Sequence, residues 1–278
     1  MSDRYREAAR SIQEADAILV TAGAGMGVDS GLPDFRGQEG FWKAYPMAQR
    51  LGLRFEQLAN PMGFYGHRLN LYRQTIPHQG FHILRDIIRT KEKGGFVFTT
   101  NVDGQFQRAG FEDDRIVEIH GSIDHLQCTN GNDCPGTGSI TRLDDAIRIT
   151  INEENLEADL TSVPKCPHAK CGSMMRPNIL MFNDWQWQSD RTDDQNEEFK
   201  SWLKHLQIND KRITVIDIGS GTAIPTARRK AESVARDFDG TLIRINPREP
   251  EIPSGVRGFS FSCGAVEALT RMKEMMIV

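Results

Sequence analysis

Residues 17–37 read Ala-Ile-Leu-Val-Thr-Ala-Gly-Ala-Gly-Met-Gly-Val-Asp-Ser-Gly-Leu-Pro-Asp-Phe-Arg-Gly, a short apolar run that passes straight into a glycine-rich loop. Ala17–Val20 has the length and branching of a strand buried on both faces. Gly23, Gly25 and Gly27 follow directly. Glycine lets the backbone approach a pyrophosphate closely, and the N–H groups of a following helix favour its charge. An ordinary tight turn would use the same three glycines. The spacing Gly-x-Gly-x-Gly also departs from Gly-x-Gly-x-x-Gly, so an ordinary dehydrogenase loop is a poor fit.

Working outward, the apolar periodicity predicts further strands at Phe96–Thr99, Ile116–Ile119, Ile179–Phe182, Ile213–Ile218 and Thr241–Ile245. Helical patterns lie between them at Phe81–Lys93, Asp194–Leu206 and Pro225–Phe238, and the charged first sixteen residues read as an opening amphipathic helix. Strands alternating with helices predict an α/β fold, a Rossmann-like open parallel sheet. The loops after Thr21, Thr99, Ile119, Ile218 and Ile245 are then expected to converge on one cleft beyond the carboxyl ends of the strands. Two stretches interrupt the alternation. Residues 41–77, rich in Trp, Tyr and Phe among helix formers, read as a helical insertion. Residues 128–174 read as a small metal-stapled module. The expected organisation is a single catalytic domain over 1–278, with 1–40, 78–127 and 175–278 forming the sheet-bearing part.

The composition is 278 residues with 34 Lys+Arg against 38 Asp+Glu, a net charge of −4, and 38% hydrophobic residues. That is enough apolar material for a sizeable core, and it argues against a disordered chain. Mild acidity argues against a dedicated nucleic-acid binder, which carries a basic face. No run approaches the roughly 18 apolar residues of a membrane span. The N-terminus has no apolar h-region, so no signal peptide is expected and the expected location is cytoplasmic.

Five cysteines are an odd number, and four cluster as Cys128-x5-Cys134, then, after 31 residues, Cys166-x4-Cys171. Four thiolates make a tetrahedral structural zinc site, with bonds of about 2.3 Å, and suit a reducing compartment better than a disulfide framework does. Both pairs are looser than the usual C-x2-C knuckle. His168, between the last two cysteines, is the alternative fourth ligand. A cluster without metal fits poorly with such polar, turn-rich surroundings.

The continuation of the first loop, Ser30-Gly-Leu-Pro-Asp-Phe-Arg36, resembles the signature of the sirtuin family, which uses NAD as a co-substrate. Thr99-Thr-Asn101-Val-Asp103-Gly104 with Ala109-Gly110 resembles the second sirtuin motif, and Ile119-His120-Gly121 the catalytic His-Gly. The cysteine cluster follows where sirtuins carry zinc. Weaker matches occur at Gly219-Ser220-Gly221, Ile245-Asn246 and Cys263-Gly264, so the resemblance runs in order over about residues 15–270. It implies that His120 is the general base toward the nicotinamide ribose and that Asn101 orients the ribose and the attacking water. Asp103, beside Val102, would hold the nicotinamide carboxamide. Gly23, Ala24 and Gly25, then Asp34, Phe35 and Arg36 of a mobile loop, would bind NAD, joined by Gly219, Ser220, Gly221, Asn246 and Gly264. Cys263 would form a wall of the adenine pocket. Zn2+ on Cys128, Cys134, Cys166 and Cys171 would be structural.

Departures from the sirtuin pattern accompany the matches. Thr100 stands where Gln is usual and Phe106 where His is usual. In the substrate-pairing segment Asn183 replaces Gly and Asp184 replaces Glu, with Trp185 and Trp187 following. Either tryptophan could line an acyl channel or cover the sheet. The resemblance implies an NAD-dependent protein-lysine deacylase acting on acylated-lysine protein or peptide, without nucleic-acid or membrane partners. The alternatives on the same cleft are a mono-ADP-ribosyltransferase or an NAD glycohydrolase, and, from another class, a non-catalytic NAD-sensing module.

Overall fold

A computed structural model describes residues 2–34, 61–136, 140–152, 157–181 and 183–276. Six strands, β1 (Ala17–Ala22), β2 (Gly95–Thr99), β3 (Ile116–Glu118), β4 (Ile213–Ile218), β5 (Thr241–Ile245) and β6 (Gly258–Phe261), form one sheet in the order β6-β5-β4-β1-β2-β3. Every neighbouring pair is parallel, with Val20 opposite Val97 on one side and Ile216 on the other. The winding reverses between β1 and β4, so the loops leaving these two strands part and open a crevice at their carboxyl ends. The expected Rossmann-like fold is therefore present.

Side chains alternate across β1, and this sorts the helices. Ile18 and Val20 face a core with Ile12 of α1 (Ser2–Glu14), Leu84 of the helix Gln79–Arg89 and Leu269 of the helix Ala265–Met276. Ala17 and Leu19 face the opposite core, with Phe199 and Trp202 of the helix Asp190–Ile208 and Val234 of the helix Thr226–Asp237. The helix Gln79–Arg89 starts two residues before the predicted Phe81, because the His78 side chain accepts the Gly80 N–H. It stops short of Lys93 at a turn that ends on left-handed Gly94.

Charges buried in the sheet are paired, as burial requires. Arg244 is fully buried. It donates to Asp217 at 2.7 Å, to Glu232 at 2.9 Å and to the Glu251 carbonyl at 2.6 Å. Asp217 also accepts the Thr21 hydroxyl at 2.8 Å, which ties β1, β4 and β5 together next to their loops.

Two sequence expectations need correction. The predicted strand Ile179–Phe182 is displaced: the strand is Met175–Ile179, and it pairs antiparallel with Gly121–Cys128 in a separate three-stranded sheet completed by Thr141–Arg142. Phe182 lies outside the described residues. A continuous apolar run signals burial, and nothing local in it says which sheet it joins. Residues 121–127 and 175–179 thus belong to the small sheet rather than to the sheet-bearing part. Strand β6 escaped prediction because it is a short, glycine-led edge strand with no continuous apolar run.

Within the proposed insertion, residues 61–74 form α2 (Pro61–Gln74), and residues 41–60 lie outside the described residues. Tyr65, Leu69 and Tyr72 of α2 share a second core with Ile123, Leu126, Met175 and Ile179 of the small sheet. Among the described residues no helix is long and apolar enough to cross a membrane.

Candidate active site

The crevice between β1 and β4 deepens into a cavity of about 790 Å3. One side is made by the loops after the strands: Gly23–Gly25 after β1, Thr100–Asp103 after β2, His120 after β3 and Gly219–Ile224 after β4. The opposite side brings Leu32–Asp34, residues of α2 and Ile179–Met181. The expected convergence of the loops is thus observed.

The mouth is a cradle of bare backbone. The Gly25 N–H donates to the Gly219 carbonyl at 3.2 Å. A Cβ on Gly25 would stand 2.6 Å from the Gly219 Cα, and one on Gly23 2.7 Å from the Gly219 oxygen. Gly219 itself is left-handed at φ +64. Two strand ends can meet this closely only without side chains, and the short helical turn Ala24–Ser30 begins there without a side-chain cap. That chemistry fits the pyrophosphate of NAD.

Three candidate residues meet around the cavity. Asn101 Nδ2 donates to the Gly23 carbonyl at 3.0 Å, and its backbone N–H to the Thr99 hydroxyl at 3.0 Å, so the side chain is fixed. Asp103 is buried, its Oδ1 accepting the Gln105 N–H at 3.0 Å. Burial pushes its pKa up, opposed by the Gln105 N–H and by the charges of Arg108 and Arg68. For His120, burial holds the imidazole below its ordinary value, while a hydrogen bond to the Thr100 carbonyl acts in the opposite sense.

The departures have structural reasons. Thr100 lines the cavity, donating backbone and hydroxyl hydrogens to the Ala22 carbonyl, at 3.0 and 3.4 Å. Phe106 is a core residue, edge-on to Phe81 and Phe111 at 4.9 and 5.1 Å. Asn183 has φ +57, a left-handed conformation that asparagine tolerates better than most residues, which accounts for its standing where glycine is usual. Asp184 is held by Arg176 at 2.8 Å. Trp185 is 88% exposed and Trp187 half-buried, and neither lines the cavity.

Other candidates are spread more widely. Asp34 pairs with Arg248 of the loop after β5, while Phe35 and Arg36 lie outside the described residues. Ser220 and Gly221 line the cavity, and Asn246 sits behind them, its Nδ2 donating to the Ser220 carbonyl at 3.1 Å. Cys263 and Gly264 stand at the start of the helix Ala265–Met276, away from the lining. The Cys263 Sγ is 3.6 Å from the Tyr5 hydroxyl, and Gly264 abuts Asp29.

The sulfurs of Cys128, Cys134, Cys166 and Cys171 all lie within 4.8 Å of one another, with contacts of 3.5 Å for Cys128–Cys171 and 3.6 Å for Cys134–Cys166. Sulfurs about 2.3 Å from a tetrahedral zinc stand roughly 3.8 Å apart, so the set fits the metal. The N–H groups of Asn130 and Gly136 donate to Cys128 and Cys134 at 3.4 Å, the support that metal-bound thiolates need. His168 is not part of the cluster among the described residues.

Sequence reasoning missed Tyr65, Arg68, Tyr72 and Glu249, all of which line the cavity. Arg68 is 8% exposed, its guanidinium 4.9 Å from the Tyr72 ring centre. The signal was a helical face: positions 65, 68 and 72 fall on one side of α2.

Comparison with known proteins gives a consistent result. The Sir2 family model matches residues 23–201. An NAD-dependent protein deacylase of Pyrococcus abyssi is 28% identical over 279 residues, covering 96% of this chain and 95% of the relative. A structure described as the basis for the mechanism and regulation of Sir2 enzymes aligns with TM-score 0.67 at 23% identity, covering 100% of this chain and 99% of that one. A Sir2 complex with a deacetylated p53 peptide and 3′-O-acetyl ADP ribose aligns with TM-score 0.62 at 22% identity, covering 96% of each chain.

Proposed function

The chain belongs to the Sir2 family, and from that premise we propose that it is an NAD-dependent protein-lysine deacylase, converting NAD, an acylated lysine and water into nicotinamide, free lysine and O-acyl-ADP-ribose. The observation that carries the reading is the meeting of Asn101, Asp103 and His120 around one cavity whose mouth is the Gly23–Gly25–Gly219 cradle. When bound, NAD supplies the labile bond at C1′ of the nicotinamide ribose. The residues of this chain supply the rest.

Asp103 accepts the carboxamide N–H of nicotinamide. His120, which burial keeps neutral, takes the proton of a ribose hydroxyl at a ring nitrogen. Asn101, held through Nδ2 on Gly23, keeps its Oδ1 as an acceptor for ribose or water. Zn2+ on Cys128, Cys134, Cys166 and Cys171 stiffens the small module and takes no part in the chemistry. The peptide carrying the acyl-lysine enters past Leu180 and Asn183. The acyl chain faces Tyr65, Arg68 and Tyr72, and a buried guanidinium against the Tyr72 ring suits a chain ending in a carboxylate, such as succinyl or malonyl.

The test is a mass-spectrometric time course with NAD and peptides carrying different acyl-lysines. Loss of an acyl group coupled to O-acyl-ADP-ribose is the expected result. Nicotinamide with free ADP-ribose, or a mass gain on protein with every peptide untouched, overturns the reading in favour of glycohydrolase or transferase activity.

A further inference from the structure

Behind the cavity a carboxylate stands between two arginines. Arg108 Nη1 donates to the Asp103 carbonyl oxygen at 2.6 Å, and its Nη2 to the Asp124 carboxylate at 3.1 Å. Asp124 also faces Arg73 of α2, Nε to Oδ1, at 3.8 Å. The side chains of Arg73, Asp124 and Arg108 are only 8, 19 and 23% exposed, so water screens them weakly. Arg73 follows the cavity-lining Tyr72 and is anchored by the Ile147 and Asp144 carbonyls at 2.5 and 3.2 Å. Gly104, the residue after Asp103, is left-handed at φ +66, and a Cβ there would stand 2.5 Å from Asp124 Oδ2. The carboxylate thus lies directly against the backbone that carries Asp103. The same strand holds that backbone from Ile123, whose N–H donates to the Val102 carbonyl at 2.9 Å.

We propose that Asp124 is a positioning residue that sets two parts of the site at once: Asp103 through Arg108, and the α2 wall of Tyr72 and Arg68 through Arg73. The proposal rests on the reading that Asp103 faces nicotinamide and α2 faces the acyl chain. Without the carboxylate, the two guanidiniums repel each other across the gap it occupied. The Asp103 loop and the end of α2 then shift in opposite directions.

The experiment uses the full chain with its zinc content verified. It compares the nicotinamide inhibition constant and the KM for an acyl-lysine peptide in the parent, Asp124→Asn, Asp124→Glu and Asp103→Asn. Asp124→Asn raises both constants about tenfold, the effect of losing a charge-assisted pair. Asp124→Glu recovers most of each, because the charge remains. Asp103→Asn raises the nicotinamide constant alone. If Asp103→Asn leaves that constant unchanged, the reading of Asp103 fails and takes the proposal with it. If Asp103→Asn moves it while Asp124→Asn moves neither constant, or only one, the proposal alone is overturned. Should Asp124→Asn lose zinc or fail to fold, Arg108→Gln and Arg73→Gln decide. The first is expected to shift the nicotinamide constant and the second the peptide KM, and any other division overturns the proposal.

Discussion

Replacing Arg68 by Met tests the acyl end of the cavity. Met is unbranched and apolar, so it follows the arginine stem without adding a branch. What is removed is one positive charge, 8% exposed and close enough to Asp103 to lower that carboxyl's pKa. A carboxylate about 4 Å from this guanidinium, at an effective dielectric of about 20, gains roughly 4 kcal/mol. Withdrawing the carboxylate from water costs part of that, leaving about 2 kcal/mol, a factor of about 30 in kcat/KM. The assay is kcat/KM for one peptide sequence bearing either succinyl-lysine or acetyl-lysine, at saturating NAD, in the parent and in Arg68→Met. The succinyl value falls about 30-fold while the acetyl value changes by less than about threefold. A parallel fall on both peptides would mean that Arg68 only supports the fold of α2. An unchanged succinyl preference would place the acyl terminus elsewhere.

Gly25→Ala forces a methyl group to 2.6 Å from the Gly219 Cα, backbone on both sides. It costs about 1–3 kcal/mol by overpacking and raises the KM for NAD. Gly31→Ala, left-handed at φ +84 but with nothing within 4 Å, lowers the melting temperature without moving that KM, and equal KM effects would refute the cradle. Because burial holds His120 below its ordinary value and the neutral form is the base, kcat/KM stays flat as pH falls to about 6.5 and drops only below it. An acid limb centred above that value counts against His120 as the base. Cys166→Ser with Cys171→Ser loses zinc by metal analysis and several kcal/mol of stability. A parental melting curve in that variant would show that the cluster holds no structural metal.

Much of the site was legible because its elements are local in sequence. Ala17–Val20 running into Gly23 and Gly25 announces both a buried strand and a turn where backbones approach closely. The four cysteines announce a metal by residue type and spacing. Asn101, Asp103 and His120 sit just beyond strand ends, and in a parallel sheet all such ends reach the same edge. Legibility failed where partners are distant in sequence. Ile179 and its neighbours read as another buried strand, yet Gly121–Cys128 recruits them to a second sheet. Arg68 was not singled out, because only the packing of α2 brings its face into the cavity wall. Asn183 read as a departure where glycine is usual, and its left-handed backbone accounts for it.

The sequence by itself determined the alternation of strands and helices, the glycine turn, the thiolate cluster and the residues at the strand ends. Each depends on periodicity or chemistry within a few residues. Only the tertiary structure decided that Gly25 and Gly219 touch, that α2 lines the cavity, and that Asp124 stands between Arg108 and Arg73. These contacts join residues 16 to 194 positions apart. Long-range pairing is chosen by the packing of whole elements against each other, a selection that leaves no periodic trace in either segment alone.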